Sequence, residues 1–470
     1  MASGLIPDQE PPGRPGRAGA VADGVTRRAQ GPQALLRLEW PAVLERISAL
    51  ASSEAGAEHV RNLVPETARD AAEAGLRLAD EMVGLLLKVD WIPPPIPDVQ
   101  SALKRLAVEG SVLDATELDG VARLLSSSRL CRADLRRFPD ELPGLTAIGG
   151  RMLKSESLER RLLNAFDAAG GIADSASQDL RRIRRALRSS RSSIVRRLET
   201  FARSLPDRIQ VPDGSVTIRS GRYCIPVRRE GMSEVGGIVH DESATHRTVF
   251  VEPPQVIQPM NRLAELEREE QREIARILRQ LTAAARPRSA ELTESLEALA
   301  VADSLFARAR WALAHGGSRP TFIDAESNGG NGVALHLVRV HHPLLVDGDE
   351  PSVPFDLELV RGETVLLVSG PNAGGKTVLL KTVGLTSLLA QAGVIPPAGP
   401  GTKLPVYGDL FAVIGDEQSI SASLSTFSAQ VESVRQTLEE ADEHSLVLLD
   451  EIGSSTDPTE GAALASAVLQ

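Results

Sequence analysis

Long apolar runs are missing from this 470-residue chain. No stretch approaches the ~18 residues that a membrane-spanning helix needs, so no membrane partner is expected. Cysteine is nearly absent: Cys131 and Cys224 stand far apart and outside any CxxC pattern. That excludes a disulfide framework and a thiolate zinc site, and it points to a reducing, cytoplasmic setting. Aromatic residues make up only 3% of the chain, too few for a platform on which unpaired bases stack. Positive charge is in deficit as well. The net charge of −11 excludes a uniformly basic nucleic-acid coat while leaving room for a local basic patch. The opening MASGLIPDQEPPGRPGRAGAVADG lacks the apolar core of a secretory signal, and residues 1–33 read as a disordered tail.

What is present is enough hydrophobic residue, 42%, to fill the cores of two to four domains. From about Leu35 to Leu205 the pattern is helical. LLRLEWPAVLERISALA repeats apolar residues at three- and four-residue steps, with Pro41 suited to a first turn. PPPIP at 93–97 interrupts this pattern, and DATELDGVARLLSS restarts it with Asp114 or Thr116 as cap. In SQDLRRIRRALRSSRSSIVRRLETFARSL, Leu180, Leu187, Ile194 and Phe201 fall seven apart, with Ile183, Leu198 and Leu205 near the same stripe. This spacing predicts a long helix with one partner seam. After Pro206 the period shortens. GSVTIRSGRYCIPVRRE and GGIVHDESATHRTVFVEP read as strands, with SGR and DESA as turns. PMNRLAELEREEQREIARILRQL returns to helix with Ile274, Leu278 and Leu281 on one face. Helix out, β module and helix back describe an arm.

Nine arginines lie between Arg181 and Arg203, and two readings stay open for them. They track phosphates, or they pair across the seam with Glu265, Glu267, Glu269, Glu270 and Glu273. The β module has its own basic residues in Arg219, Arg222, Arg228 and Arg229, and is the better nucleic-acid candidate.

Chemistry concentrates after residue 330. ETVLLVSGPNAGGKTVLLKTVGLTSLL reads as a buried strand, a glycine-rich turn and an apolar helix. Gly370, Pro371, Asn372, Ala373, Gly374, Gly375, Lys376 and Thr377 fit G-x-x-x-x-G-K-[ST]. Glycines let successive backbone N–H groups wrap phosphates, and the helix N-terminus adds positive potential. In this pattern the lysine reaches the β and γ phosphates of ATP and the Thr377 hydroxyl ligates Mg2+. Asp450 follows 74 residues after Lys376 and closes the apolar run Leu446–Leu449. Its carboxylate is placed to hold the metal, and Glu451 to polarise the attacking water. Between them, GDEQSISASLSTFSAQVESVRQTL puts Ser425 or Thr426 at a helix start, suited to capping or to an anion.

The order GPNAGGKT, GDEQSISASLSTFSAQ, LVLLDEIGSSTDPTEGAALA resembles the ATPase domain of MutS-like proteins, and more narrowly their bacterial MutS-two branch. LEWPAVLERISALASSEAGAE, RSGRYCIPVRRE, GIVHDESATHRTVFVEP and VRVHHPLL extend the resemblance over roughly residues 35–470. It implies a Mg2+-dependent ATPase acting on DNA, in suppressing recombination, or on the ribosome and its rRNA, in rescuing collided ribosomes. It also implies a homodimer closed through the ATPase domains. Ser425 then touches the nucleotide of the opposite subunit, His342 lies beside the nucleotide, and the turn Gly453–Pro458 crosses the seam. A strand-end histidine is the bland alternative for His342.

The expected fold is multidomain, α plus α/β. A helical core at 34–172 precedes an outgoing lever helix at 173–205, a β-rich clamp at 206–256 and a returning lever at 257–318. An ABC-type ATPase domain fills 319–470. A mismatch-reading domain has no room here, and Phe250–Glu252 reads as strand rather than as a mismatch wedge. The last histidine, His444, precedes Asp450, so the family's γ-phosphate-sensing histidine, final strands and Smr nuclease domain are expected to be missing. A second reading follows: a binding fragment that holds nucleotide and a partner without turnover.

Overall fold

The structure is a computed structural model that describes residues 31–167, 169–212, 214–323, 333–346, 353–371, 374–415, 423–452 and 458–469. Most of the expected tail (1–30), Asn372, Ala373 and positions 453–457 lie outside the described residues. The chain divides into two compact units. A middle unit is Ile92–Ala302, and a split unit joins the residues through Trp91 to those from Asp303 onward. The division therefore falls inside the stretches 34–172 and 257–318.

In the middle unit, helix Ala115–Leu135 starts at a complete capping box. Asp114 accepts from the Glu117 amide (2.9 Å) while the Glu117 side chain accepts from the Asp114 amide (2.9 Å). The outgoing helix, Gln178–Ser204, buries Leu180, Ile183, Leu187, Ile194 and Leu198, the stripe its seven-residue spacing predicts. The return helix, Pro254–Ala285, buries Leu263, Leu266, Glu273, Ile277 and Leu281. The seam thus runs through Ile277, with Ile274 and Leu278 half-buried beside it. A polar residue, Glu273, sits on this seam. It accepts from the Ser177 hydroxyl (2.6 Å), whose oxygen also caps the outgoing helix at the Leu180 amide (2.9 Å).

Between the helices lies a four-stranded antiparallel sheet of order β1-β2-β4-β3: β1 (Thr217–Arg219), β2 (Arg222–Arg228), β3 (Ile238–Glu242) and β4 (Thr248–Glu252). Ser220 and Gly221, both at positive φ, make the two-residue hairpin that pairs Arg219 with Arg222. Phe250 lies within β4, paired to Pro226 and Asp241. Ile225, Val227, Val249 and Val251 share one core with Ile194, Leu198, Met260 and Leu263, so strands and helices fold as one cluster. Each such buried aliphatic side chain contributes about 1.5–3 kcal/mol.

The split unit holds a sheet of order β5-β8-β6-β7 and a parallel pair. The four are β5 (Thr321–Phe322), β6 (Val333–Val340), β7 (Phe355–Val360) and β8 (Lys403–Leu404). The pair is β9 (Asp409–Val413) and β10 (Ser445–Leu449), in register from Asp409↔Ser445 to Val413↔Leu449. A loop helix, Lys376–Gln391, packs beside them. Its Leu385, Leu388 and Leu389 share a core with Leu38, Trp40, Val43 and Ile47 from the chain start and with Leu410 and Leu448. Pro41 sits in the first turn of helix Trp40–Ser48. Buried Asp303 completes the union by accepting from the Ser52 (2.8 Å) and Ser53 (2.9 Å) amides ahead of helix Glu54–Arg61.

One segment departs from expectation. Thr364–Val368 takes no regular secondary structure and pairs with no strand among the described residues, and Val365, Leu366 and Leu367 are exposed. Apolar, β-branched sequence favours a strand, but the ladder itself requires a neighbouring edge.

Candidate functional site

The loop helix begins where the glycine-rich turn ends. Gly375 has φ +80°, a left-handed conformation that a side chain would strain, and it delivers the chain into the helix at Lys376. The Gly374 amide donates to the Pro371 carbonyl (2.9 Å), tightening the turn. The Lys376 ammonium donates to the Gly370 carbonyl (2.6 Å), six residues back at the start of the glycine-rich turn.

At the end of β10 the chain meets this helix. The Asp450 amide donates to the Val413 carbonyl (2.9 Å), continuing the β9–β10 pairing by one residue. The Asp450 carboxylate is buried, 7% exposed, and its Oδ2 accepts from the Thr377 hydroxyl at 2.5 Å. Two oxygen ligands expected for one metal ion, 73 residues apart in sequence, therefore touch. A hard-oxygen pair beside a phosphate loop is the donor set that Mg2+ accepts. Glu451 is exposed and has φ +48°, rare for a side-chain-bearing residue and concentrated at functional sites.

The other expected residues are placed as follows. Ser425 lies in the first turn of helix Ser423–Glu440, inside it rather than ahead of it, and its side chain is outside the described set. His342 is buried just past β6, with its Nδ1 accepting from the Leu344 amide (3.2 Å). Burial holds its pKa below the usual imidazole value, against the pull of Glu39, with Lys381 and Arg46 lowering it further. His342 is thus near Lys381, one turn along the helix from Thr377.

Residue order concealed several contributors. Lys381 pairs with Glu39 (3.3 Å), joining the phosphate-loop helix to the chain start. Buried Arg308 donates to the Gly393 carbonyl (3.2 Å) at the far end of that helix, and burial lowers its pKa to about 10. Their only sequence signal is a charge set within an apolar pattern. A cavity of about 760 Å3 is lined by Leu379, Leu380 and Val383 of the loop helix together with residues of Thr364–Val368, β6, β7 and Asp442–Leu448. Lys376, Thr377, Asp450 and Glu451 are not among its lining residues.

Comparison with known proteins now decides the family. MutS domain V matches residues 366–470, the span that holds Lys376, Thr377, Asp450 and Glu451. Endonuclease MutS2 of Gemmatimonas aurantiaca is 44% identical over 439 residues, covering 92% of this chain and 53% of that protein. Endonuclease MutS2 of Geobacillus thermodenitrificans is 40% identical over 442 residues, covering 93% and 55%. That of Pelotomaculum thermopropionicum is 38% identical over 447 residues, covering 93% and 54%.

The chain belongs to the MutS2 family. It spans about half the length of the curated MutS2 relatives it matches. Among the described residues no helix is long and apolar enough to cross a membrane.

Proposed function

We propose that this MutS2-family chain binds and hydrolyses ATP with Mg2+, and that ATP closes two copies on nucleic acid. The observation that carries this reading is the 2.5 Å contact between Thr377 and Asp450, at the start of the helix that the glycine-rich turn feeds. Glycines 370, 374 and 375 shape the phosphate cradle, together with Pro371, Asn372 and Ala373. Thr377 and Asp450 hold the metal, which when bound neutralises phosphate charge. Lys376 fixes the phosphates. Glu451 accepts the proton of the attacking water, and its exposure leaves it open to that water.

The remaining roles are proposals of the same reading. Ser425 of one copy meets the nucleotide of the other, and His342 lies beside the nucleotide. The segments 173–205 and 257–318 act as a lever, and 206–256 as its clamp. The ATPase domain takes up 319–470 and the helical core 34–172. We take duplex DNA as the partner, with ribosomal RNA as the competing one. The protein works in the cytoplasm as a homodimer.

The test is turnover by the wild type and by Glu451→Gln, with DNA affinity measured with and without ATP. The expected result is Mg2+-dependent hydrolysis that falls at least ~100-fold in the variant while ATP binding persists. DNA affinity should also depend on nucleotide. Hydrolysis that survives Glu451→Gln contradicts the assignment. A second reading, a clamp that binds nucleotide without turnover, is favoured by the unpaired Thr364–Val368 segment leading into the loop. ATP binding that Lys376→Ala abolishes, with no hydrolysis by the wild type, selects it.

A further inference from the structure

The outgoing helix Gln178–Ser204 carries nine arginines against two acids, Asp179 and Glu199, within a chain of net charge −11. The return helix is balanced, with five arginines and five glutamates. Pairing across the seam accounts for only two of the nine, Arg184–Glu270 (2.7 Å) and Arg191–Glu267 (2.9 Å). Arg188 pairs with Asp174 (3.2 Å), and Arg182 and Arg203 pair within the helix, to Asp179 (3.3 Å) and Glu199 (3.6 Å). Arg181, Arg185, Arg196 and Arg197 are exposed, and no carboxylate stands within ion-pair distance of them among the described residues.

Helical geometry gathers these charges. At about 100° per residue, Arg181, Arg185, Arg188, Arg196 and Arg203 fall within an arc of about 80°. That arc lies opposite the buried stripe of Leu180, Ile183, Leu187, Ile194 and Leu198. Arg181 and Arg185 are like charges at i and i+4, a repulsive arrangement that a polyanion relieves. From Arg181 to Arg203 the face runs about 33 Å, close to one turn of B-form DNA. Between the arginines stand Ser189 and Ser192, hydroxyls that donate to phosphate oxygens. No aromatic side chain interrupts the face, so it offers unpaired bases nothing to stack on.

We propose that this arginine face, on the side of the outgoing helix away from the return helix, binds the phosphodiester backbone of duplex DNA without reading its sequence. The proposal rests on the reading that the chain engages DNA, and it locates that contact on the helix rather than on the β module alone.

The experiment measures duplex DNA affinity of the 470-residue chain across a salt series. It compares the wild type, Arg181→Gln/Arg185→Gln/Arg196→Gln, and a matched Arg268→Gln/Arg272→Gln/Arg279→Gln control on the return helix. The expected result is a drop of about 3 in the slope of log affinity against log salt for the first variant, with a loss near 100-fold at physiological salt. The control should stay within about one unit of wild type. Lysine at the same three positions should restore most of the slope, and ATP binding should be unchanged in every variant. A wild-type slope in the first variant, or an equal loss in the control, overturns the proposal and leaves the DNA reading intact. A wild type that ignores duplex DNA, or prefers duplex RNA of the same sequence, overturns both.

Discussion

Thr377 and Asp450 show what single residues contribute. The glycine-rich loop is legible in sequence because its chemistry is local, eight consecutive positions that only a phosphate-binding turn requires together. Asp450 is legible as a strand-end acid, but its contact with Thr377 depends on β10 lying beside the loop helix, which no local pattern contains. Removing the carboxylate tests the pair. Asp450→Ala is expected to weaken Mg2+-supported ATP binding at least ~10-fold while leaving metal-free binding nearly unchanged, since a charge-assisted ligand is lost. Titration with and without Mg2+ checks it.

Two histidines set a pH dependence at the same scale. Burial lowers the pKa of His59, reinforced by Arg308, and burial lowers that of His342. The unfolded chain, with imidazoles near 6.5, then binds more protons than the folded one as pH falls below that value. Stability is therefore full above about pH 6.5 and declines as pH falls below it. Denaturant midpoints at pH 7.5 and 5.5 check this, and His59→Gln/His342→Gln is expected to flatten the difference. An unchanged slope in the double variant contradicts it.

Among elements, helices with an apolar stripe read directly from spacing, as the outgoing helix does, because periodicity states which face is buried. The return helix was legible as helix, but its seam was displaced toward Glu273 and Ile277. A buried glutamate satisfied by Ser177 looks like surface in a hydrophobicity pattern. Strand Thr364–Val368 was not realised, since β structure belongs to a pair of segments and sequence shows only one of them. Two substitutions probe element ends. Asp114→Ala removes one half of the capping box and is expected to cost the middle unit about 1 kcal/mol, read by thermal unfolding. Arg308→Ala strips the donor from the Gly393 carbonyl and leaves a void, so a loss of about 3 kcal/mol is expected.

Over the whole molecule, charge is the property most unevenly distributed. A chain of net −11 concentrates positive charge on one helix of the middle unit and places its phosphate loop in the split unit. Family membership was legible from ordered motifs, GPNAGGKT and then LVLLDE, and relatives at 38–44% identity support it. The fold of the chain start against the loop helix was not, because Leu38 and Trp40 meet Leu385 and Leu388 across more than three hundred residues. The central claim is that Lys376, Thr377 and Asp450 form one Mg2+-ATP site. The most direct measurement is equilibrium binding of a fluorescent ATP analogue to the wild type and to Lys376→Ala in the presence of Mg2+. The account expects saturable wild-type binding that weakens at least ~100-fold in the variant, the loss of a charged phosphate contact. Equal binding by the two proteins would contradict it.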